Sequence, residues 1–123
     1  MPESEETRAA NEVRLVGRVA GSPTTRELPS GDVLTVVRLV VDRPPRSRRA
    51  RGPTSDTLDC AVWKAALRRR ALRLEPGLIV EVEGALRRRF WRTPGGAASR
   101  YEVEVSALRR LPLPPRSTGN EET

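Results

Sequence analysis

The chain has 123 residues, a length that suits one domain with a modest core. Histidine is absent and Cys60 is the single cysteine, which excludes an intramolecular disulfide and every His-based zinc, triad or general-base site. Net charge is +7, and all 23 basic residues except Lys64 are Arg, so an anionic partner is a better expectation than catalysis, a metal or a cofactor.

The charge is unevenly spread. Five of the 16 acids (Glu3, Glu5, Glu6, Glu121 and Glu122) lie near the ends, accompanied only by Arg8 and Arg116. Residues 11–111 therefore hold 21 bases against 11 acids, a net +10. A GC-rich genome can account for Arg over Lys, but codon bias does not choose bases over acids. No apolar run approaches the roughly 18–20 residues that span a bilayer, and the first residues are acidic where a signal peptide is basic. These features read as a soluble, cytoplasmic, nucleoid-associated protein with no membrane partner.

In chain order, residues 1–10 are polar and without apolar periodicity, which predicts a disordered arm. Val13, Leu15, Gly17 and Val19 alternate with Arg14, Val16 and Arg18 as a first strand. Ser30-Gly31 marks a hairpin turn between Thr24–Leu28 and a Val-rich second strand, Val33–Asp42. The odd positions of that strand form one apolar face, and Arg38 points the other way. Arg43–Asp56 is a long loop carrying Pro44, Pro45 and Pro53 together with Arg43, Arg46, Arg48, Arg49 and Arg51. Connections of that length in a compact domain are usually functional or disordered. Thr57–Trp63 reads as a third strand with Leu58, Cys60 and Val62 facing the core. Leu67, Ala71 and Leu74 fall at helical spacing within Lys64–Leu74, Leu72 falls outside that stripe, and Pro76-Gly77 ends the helix. Leu78–Trp91 is a long strand, and Thr93-Pro94-Gly95-Gly96 turns it into Arg100–Leu108. Residues 112–123 begin with a Pro-rich stop and close the chain as a short polar tail, leaving 11–111 as the domain.

Five strands with one helix between the third and fourth is the connectivity of an OB-fold, a mainly β, Greek-key barrel that often binds oligonucleotides. A small α+β sheet with one covering helix would give nearly the same pattern. Period-two geometry puts Arg87, Arg89 and Trp91 on one face of the fourth strand, with Leu86, Arg88 and Phe90 on the other. Guanidinium groups beside an indole can pair phosphates and stack bases, the combination that binding of single strands requires. The competing reading is a solvated Arg ladder with a Trp covering the barrel end. Trp63, opposite the core-facing set and followed by Lys64, is expected to project outward; packing beneath the helix is the alternative. Arg14, Arg18 and Arg38 are placed outward, each a weak signal alone. Arg46, Arg48, Arg49 and Arg51 in the loop suit backbone contacts. Arg68, Arg69, Arg70 and Arg73 read as a solvated helix face. Glu81, Glu83, Glu102 and Glu104 read as a solvated outer face or a subunit contact, and Cys60 as a small core residue.

The ordered set Asn11-Glu12-Val13-Arg14-Leu15-Val16-Gly17-Arg18-Val19, Pro29-Ser30-Gly31, Asp59-Cys60-Ala61-Val62-Trp63-Lys64, Pro76-Gly77 and Val82-Glu83-Gly84-Ala85-Leu86-Arg87 resembles bacterial single-stranded DNA-binding proteins over about residues 11–111. The resemblance implies an OB-fold that assembles as a homo-oligomer, typically a tetramer with a dimer as the other option. It implies non-catalytic binding of single-stranded DNA in replication, recombination or repair. It also implies base stacking on Trp63 and Trp91, with Arg87 and Arg89 beside them. The chain departs from the family pattern at Leu28, Thr57 and Pro44-Pro45, where stacking aromatics are usual in at least some members. Gly119-Asn120-Glu121-Glu122-Thr123 lacks the apolar end of the family's acidic tip, which argues against recruiting partners through it and fits a specialised paralogue. An OB-fold protein-interaction module of primosome type and an RNA-binding protein stand as the other functional readings.

Overall fold

Alternation of β-branched residues with polar ones builds this molecule strand by strand. The computed structural model describes residues 8–112; of the expected arm and tail, residues 1–7 and 113–123 lie outside that range. Strands β1 (Val13–Val19), β2 (Thr24–Glu27), β3 (Val33–Asp42) and β4 (Ser55–Val62) precede helix α1 (Ala65–Ala71). The two 15-residue strands β5 (Ile79–Thr93) and β6 (Gly96–Arg110) follow it. The short arm β2 pairs only with β3, in the hairpin expected around Ser30-Gly31.

The remaining strands close a ring in the order β1-β5-β6-β4-β3, with β1 returning to β3 at Arg18↔Val40 and Val19↔Leu39. Only β4 and β6 run parallel, meeting at Cys60↔Val103 and Ala61↔Glu104. This is the five-stranded Greek-key closure of an OB-fold, with the helix where the sequence placed it, between the third and fourth strands of the ring. The α+β alternative falls with the ring's closure.

Small aliphatic side chains fill the interior: Val37, Leu39, Cys60, Val62, Val80, Val82, Val103 and Val105 are all buried. Helix α1 caps one end with Leu67, Ala71 and the following Leu74, while Leu72 stays outside the stripe at 50% exposure. The helix is shorter than Lys64–Leu74 because the backbone tightens after Ala71, with Arg73 and Leu74 amides reaching only three residues back. None of the chain's four aromatic rings joins the core. Their apolar area would normally be buried first, so their position outside it points to another use.

Four carboxylates expected on a solvated outer face divide into two kinds. Glu83 is exposed and the Glu104 side chain 41% exposed, but as whole residues Glu81 and Glu102 are only 7% and 6% exposed. Guanidinium groups fold over both. Arg109 Nη2 lies 2.6 Å from Glu81 Oε1, Arg14 bonds the other oxygen, and Arg89 lies 3.2 Å from Glu102. Hydrogen bonds from Arg109 and Arg14 lower the pKa of the Glu81 carboxyl. The helix arginines also differ from expectation. Arg68 donates to the carbonyls of Val33 (3.1 Å) and Trp63 (3.0 Å), and Arg70 donates to Leu108 O. Those contacts fasten the helix to the barrel, while Arg70 itself, like Arg69 and Arg73, is exposed as expected.

Candidate nucleic-acid interface

The outward face of β3, β4 and β6, together with the outward face of the β5–β6 hairpin, gathers half of the residues singled out from sequence: Trp63, Lys64, Arg38, Arg87, Arg89 and Trp91. Register sets Arg38 opposite Asp59 across β3 and β4, and Arg89 opposite Arg100 across β5 and β6. Arg38 Nε lies 3.1 Å from Asp59 Oδ1, and Arg100 Nη1 lies 3.6 Å from the other oxygen. A row of side chains thus runs from Arg38 through Asp59 and Arg100 to Arg89, crossing four strands. Arg100 carried no sequence signal of its own; only the β5–β6 register reveals it.

Arg89 sits beside one indole and shares a groove with the other. Its guanidinium carbon stands 5.8 Å from the Trp63 ring centroid, within cation–π reach. It also lines, with Trp91, Arg26, Leu28 and Pro29, a groove of about 450 Å³. Leu28 therefore shapes the Trp91 groove from the position where an aromatic is usual. Beyond Trp63, a second groove of about 360 Å³ runs along Lys64, Arg87, Glu104 and Asn11.

Trp91 is 42% exposed and stands across from the small side chain of Ala98. Trp63 is half-buried and projects outward, not beneath the helix core. Its carbonyl is held by Arg68, a positioning contact that sequence reading missed. Asn11 clips the start of β1 to β5, donating to Leu86 O (2.7 Å) and accepting from Leu86 N–H (2.8 Å).

The two arginines on this strand face differ in how firmly they are held. Arg87 and Glu104 pair at 2.7 Å with both side chains well exposed, 57% and 41%. Exposed pairs contribute only about 0–1 kcal/mol, so a phosphate can displace Glu104 from Arg87. The Arg89 side chain is 25% exposed over a Glu102 side chain that is 5% exposed, and its Nε meets the carboxylate as an ion pair without an aligned hydrogen bond. Removing Arg89 would leave a buried charge unpaired, so Arg89 stays put beside the Trp63 ring.

Other expected contacts lie off this face. Arg14 is tied into the Glu81–Arg109 cluster on β1, β5 and β6, and Arg18 lies 3.5 Å from Asp42. Arg46, Arg48, Arg49 and Arg51 are exposed on the β3–β4 loop. That loop has order: Arg43 clamps Asp56 at 2.7 and 3.0 Å, Arg48 Nε donates to Arg43 O, and Pro45–Ser47 forms a 3₁₀ turn. The Arg43 hydrogen bond lowers the Asp56 pKa. Burial pushes the Cys60 thiol up to about 12, consistent with a core role. Among the described residues no helix is long and apolar enough to cross a membrane.

A closed five-stranded Greek-key barrel with rings and guanidinium groups outside its core has the architecture of the oligonucleotide-binding OB-folds. Residues 10–111 match the model of the single-strand binding protein family, and the chain belongs to that family. The single-stranded DNA-binding protein of Thermotoga maritima is 30% identical over 113 residues, covering 90% of this chain and 80% of the relative. Single-stranded DNA-binding protein B of Bacillus subtilis is 31% identical over 98 residues, covering 79% of this chain and 84% of the relative. The solved structure of a Plasmodium falciparum SSB complex with ssDNA aligns with a TM-score of 0.70 at 24% identity, over 86% of this chain and 98% of that one. At that identity the likeness speaks for the fold.

Proposed function

We propose that this chain binds single-stranded DNA with little sequence preference, by stacking bases on Trp63 and Trp91 and pairing phosphates with Arg87, Arg38, Lys64 and the loop arginines. The observation that carries this reading is the Arg89 guanidinium beside the Trp63 indole and lining one groove with Trp91, all outside the core. Stacking tolerates every base because each has a π face, and the backbone contacts carry no sequence information. Family membership and the relatives named above support the same reading. Replication, recombination and repair are the settings that expose such strands. The absence of histidine and the buried Cys60 argue for binding without catalysis.

Trp emission should be quenched on titration with an oligothymidylate. The binding constant should fall with salt at a log–log slope of about 0.7 for each phosphate neutralised. Unchanged emission at low salt would sink the stacking assignment. A parallel titration with an RNA of equal length separates DNA preference from general single-strand binding.

The proposal extends to self-association. Val13–Gly17 of β1 pair with β5 on one edge, and β1 reaches β3 only at Arg18 and Val19. The free edge before Arg18 is a template for strand addition by a second copy. Sedimentation of the DNA-free protein should give a mass at least twice the 13.7 kDa of one chain, and a monomer would refute this part.

A further inference from the structure

The β5–β6 hairpin has a second face. Leu86, Arg88 and Phe90 lie opposite the Arg87–Trp91 set, and register brings Tyr101 across from Arg88. Phe90 and Tyr101 are 66% and 62% exposed, more than either tryptophan, and Leu86 is 45% exposed beside them. The Arg88 guanidinium carbon sits 4.8 Å from the Phe90 centroid and 5.4 Å from that of Tyr101. Its hydrogen bonds go to the Ser99 hydroxyl at 3.3 Å. Among the described residues no carboxylate pairs with Arg88, whereas Arg87, Arg89 and Arg100 each have one on the outward face.

That contrast in charge selects the occupant. A phosphate approaching the outward face meets guanidinium groups that already share Glu104, Glu102 and Asp59, and must compete with those carboxylates. On the reverse face it meets an unpaired guanidinium between two uncovered rings. Contact with a second copy through the same patch would bring Arg88 toward Arg88, which like-charge repulsion opposes. We propose that the Arg88–Phe90–Tyr101 face is a second stacking site for single-stranded DNA, in which the two rings take unpaired bases and Arg88 takes a phosphate between them. The hairpin would then be gripped on both sides. The inference rests on the single-strand reading above and adds a site to it.

The full chain is titrated with a labelled oligothymidylate, following anisotropy for total binding and Trp emission for the outward face. Phe90→Ala/Tyr101→Ala should weaken binding roughly tenfold or more while saturating DNA still quenches the tryptophans. Tyr101→Ala alone, which leaves the neighbour of Trp91 unchanged, should weaken it in the same direction. Phe90→Tyr/Tyr101→Phe, which keeps both rings, should bind as the parent does. Parent-like affinity in the alanine variants with quenching intact would overturn the second site alone. Equal weakening in the ring-keeping variant would also overturn it, as would a changed mass of the DNA-free double-alanine variant. A parent chain that binds no oligothymidylate would overturn the first reading along with it.

Discussion

Replacing Trp91 by alanine is expected to weaken single-stranded DNA binding roughly 5- to 150-fold, the equivalent of about 1–3 kcal/mol for one stacked base. Stability should hardly change. Trp91 lies near the hairpin tip, 42% exposed, opposite Ala98, and touches no part of the buried cluster. Surface substitutions of this kind stay within about 0.5 kcal/mol. Trp63→Ala should lose binding on the same scale but melt lower as well, because that ring is half-buried against Arg89. Trp63→Phe, which keeps a π face for base and guanidinium alike, should recover most of both. Equilibrium anisotropy with a labelled oligothymidylate, alongside thermal melting, reads the two quantities separately. If Trp91→Ala bound as tightly as the parent, stacking at the hairpin would have to be abandoned.

The same geometry spreads the carboxylates of a domain of net +10 among its guanidinium groups. Its carboxylates sit under its guanidinium groups: Glu81 beneath Arg14 and Arg109, Glu102 beneath Arg89, Asp59 between Arg38 and Arg100. Buried carboxylates such as Glu81 and Glu102 fix their arginines as framework. Exposed ones such as Glu104 hold theirs loosely. On the proposed reading, the cations available to DNA are then fewer than the formal charge, and the exposed β3–β4 loop arginines weigh more among them than their count implies.

Much of this was legible in the chain, for identifiable reasons. Period-two alternation located β1, β3, β4 and β6 because one side of each faces an aliphatic interior, and the helical stripe Leu67, Ala71 and Leu74 was correctly separated from Leu72. The same rule put Arg87, Arg89 and Trp91 on one face. What alternation cannot show is which strand lies next to which. Arg100 beside Asp59, Arg68 holding the Trp63 carbonyl and Asn11 clipped to Leu86 all join residues far apart in sequence. The burial of Glu81 and Glu102 was misjudged for a related reason. A carboxylate on an outward face is covered when arginines from neighbouring strands fold over it, and pairing decides that.

Gly84 marks the point where barrel wall becomes free hairpin, and giving it a side chain should be the most damaging single-methyl change in the domain. Here the β5–β6 register slips: Glu83 faces Ala107 but Gly84 faces Val105, so one residue of β6 bulges. A Cβ at position 84 would lie 1.9 Å from the Glu104 carbonyl oxygen, 2.8 Å from its carbon and 3.1 Å from Val105 Cα. All three are backbone atoms of a paired strand, so no rotamer change relieves the clash. Gly84→Ala must push β5 and β6 apart, at a cost of about 2–3 kcal/mol by the usual scale of overpacking. For a domain near one hundred residues that lowers Tm by roughly 10–20 °C. Gly95→Ala is the matched control, because a Cβ at that turn position meets nothing within 4 Å. The clash also re-aims the strand carrying Arg87, Arg89 and Trp91 relative to Trp63 and Arg38. Gly84→Ala should therefore bind DNA more weakly even well below its own Tm. Circular dichroism melting against Gly95→Ala checks the first effect, and anisotropy at low temperature checks the second. A Gly84→Ala protein melting with the parent would mean that the bulge yields more easily than a paired backbone should.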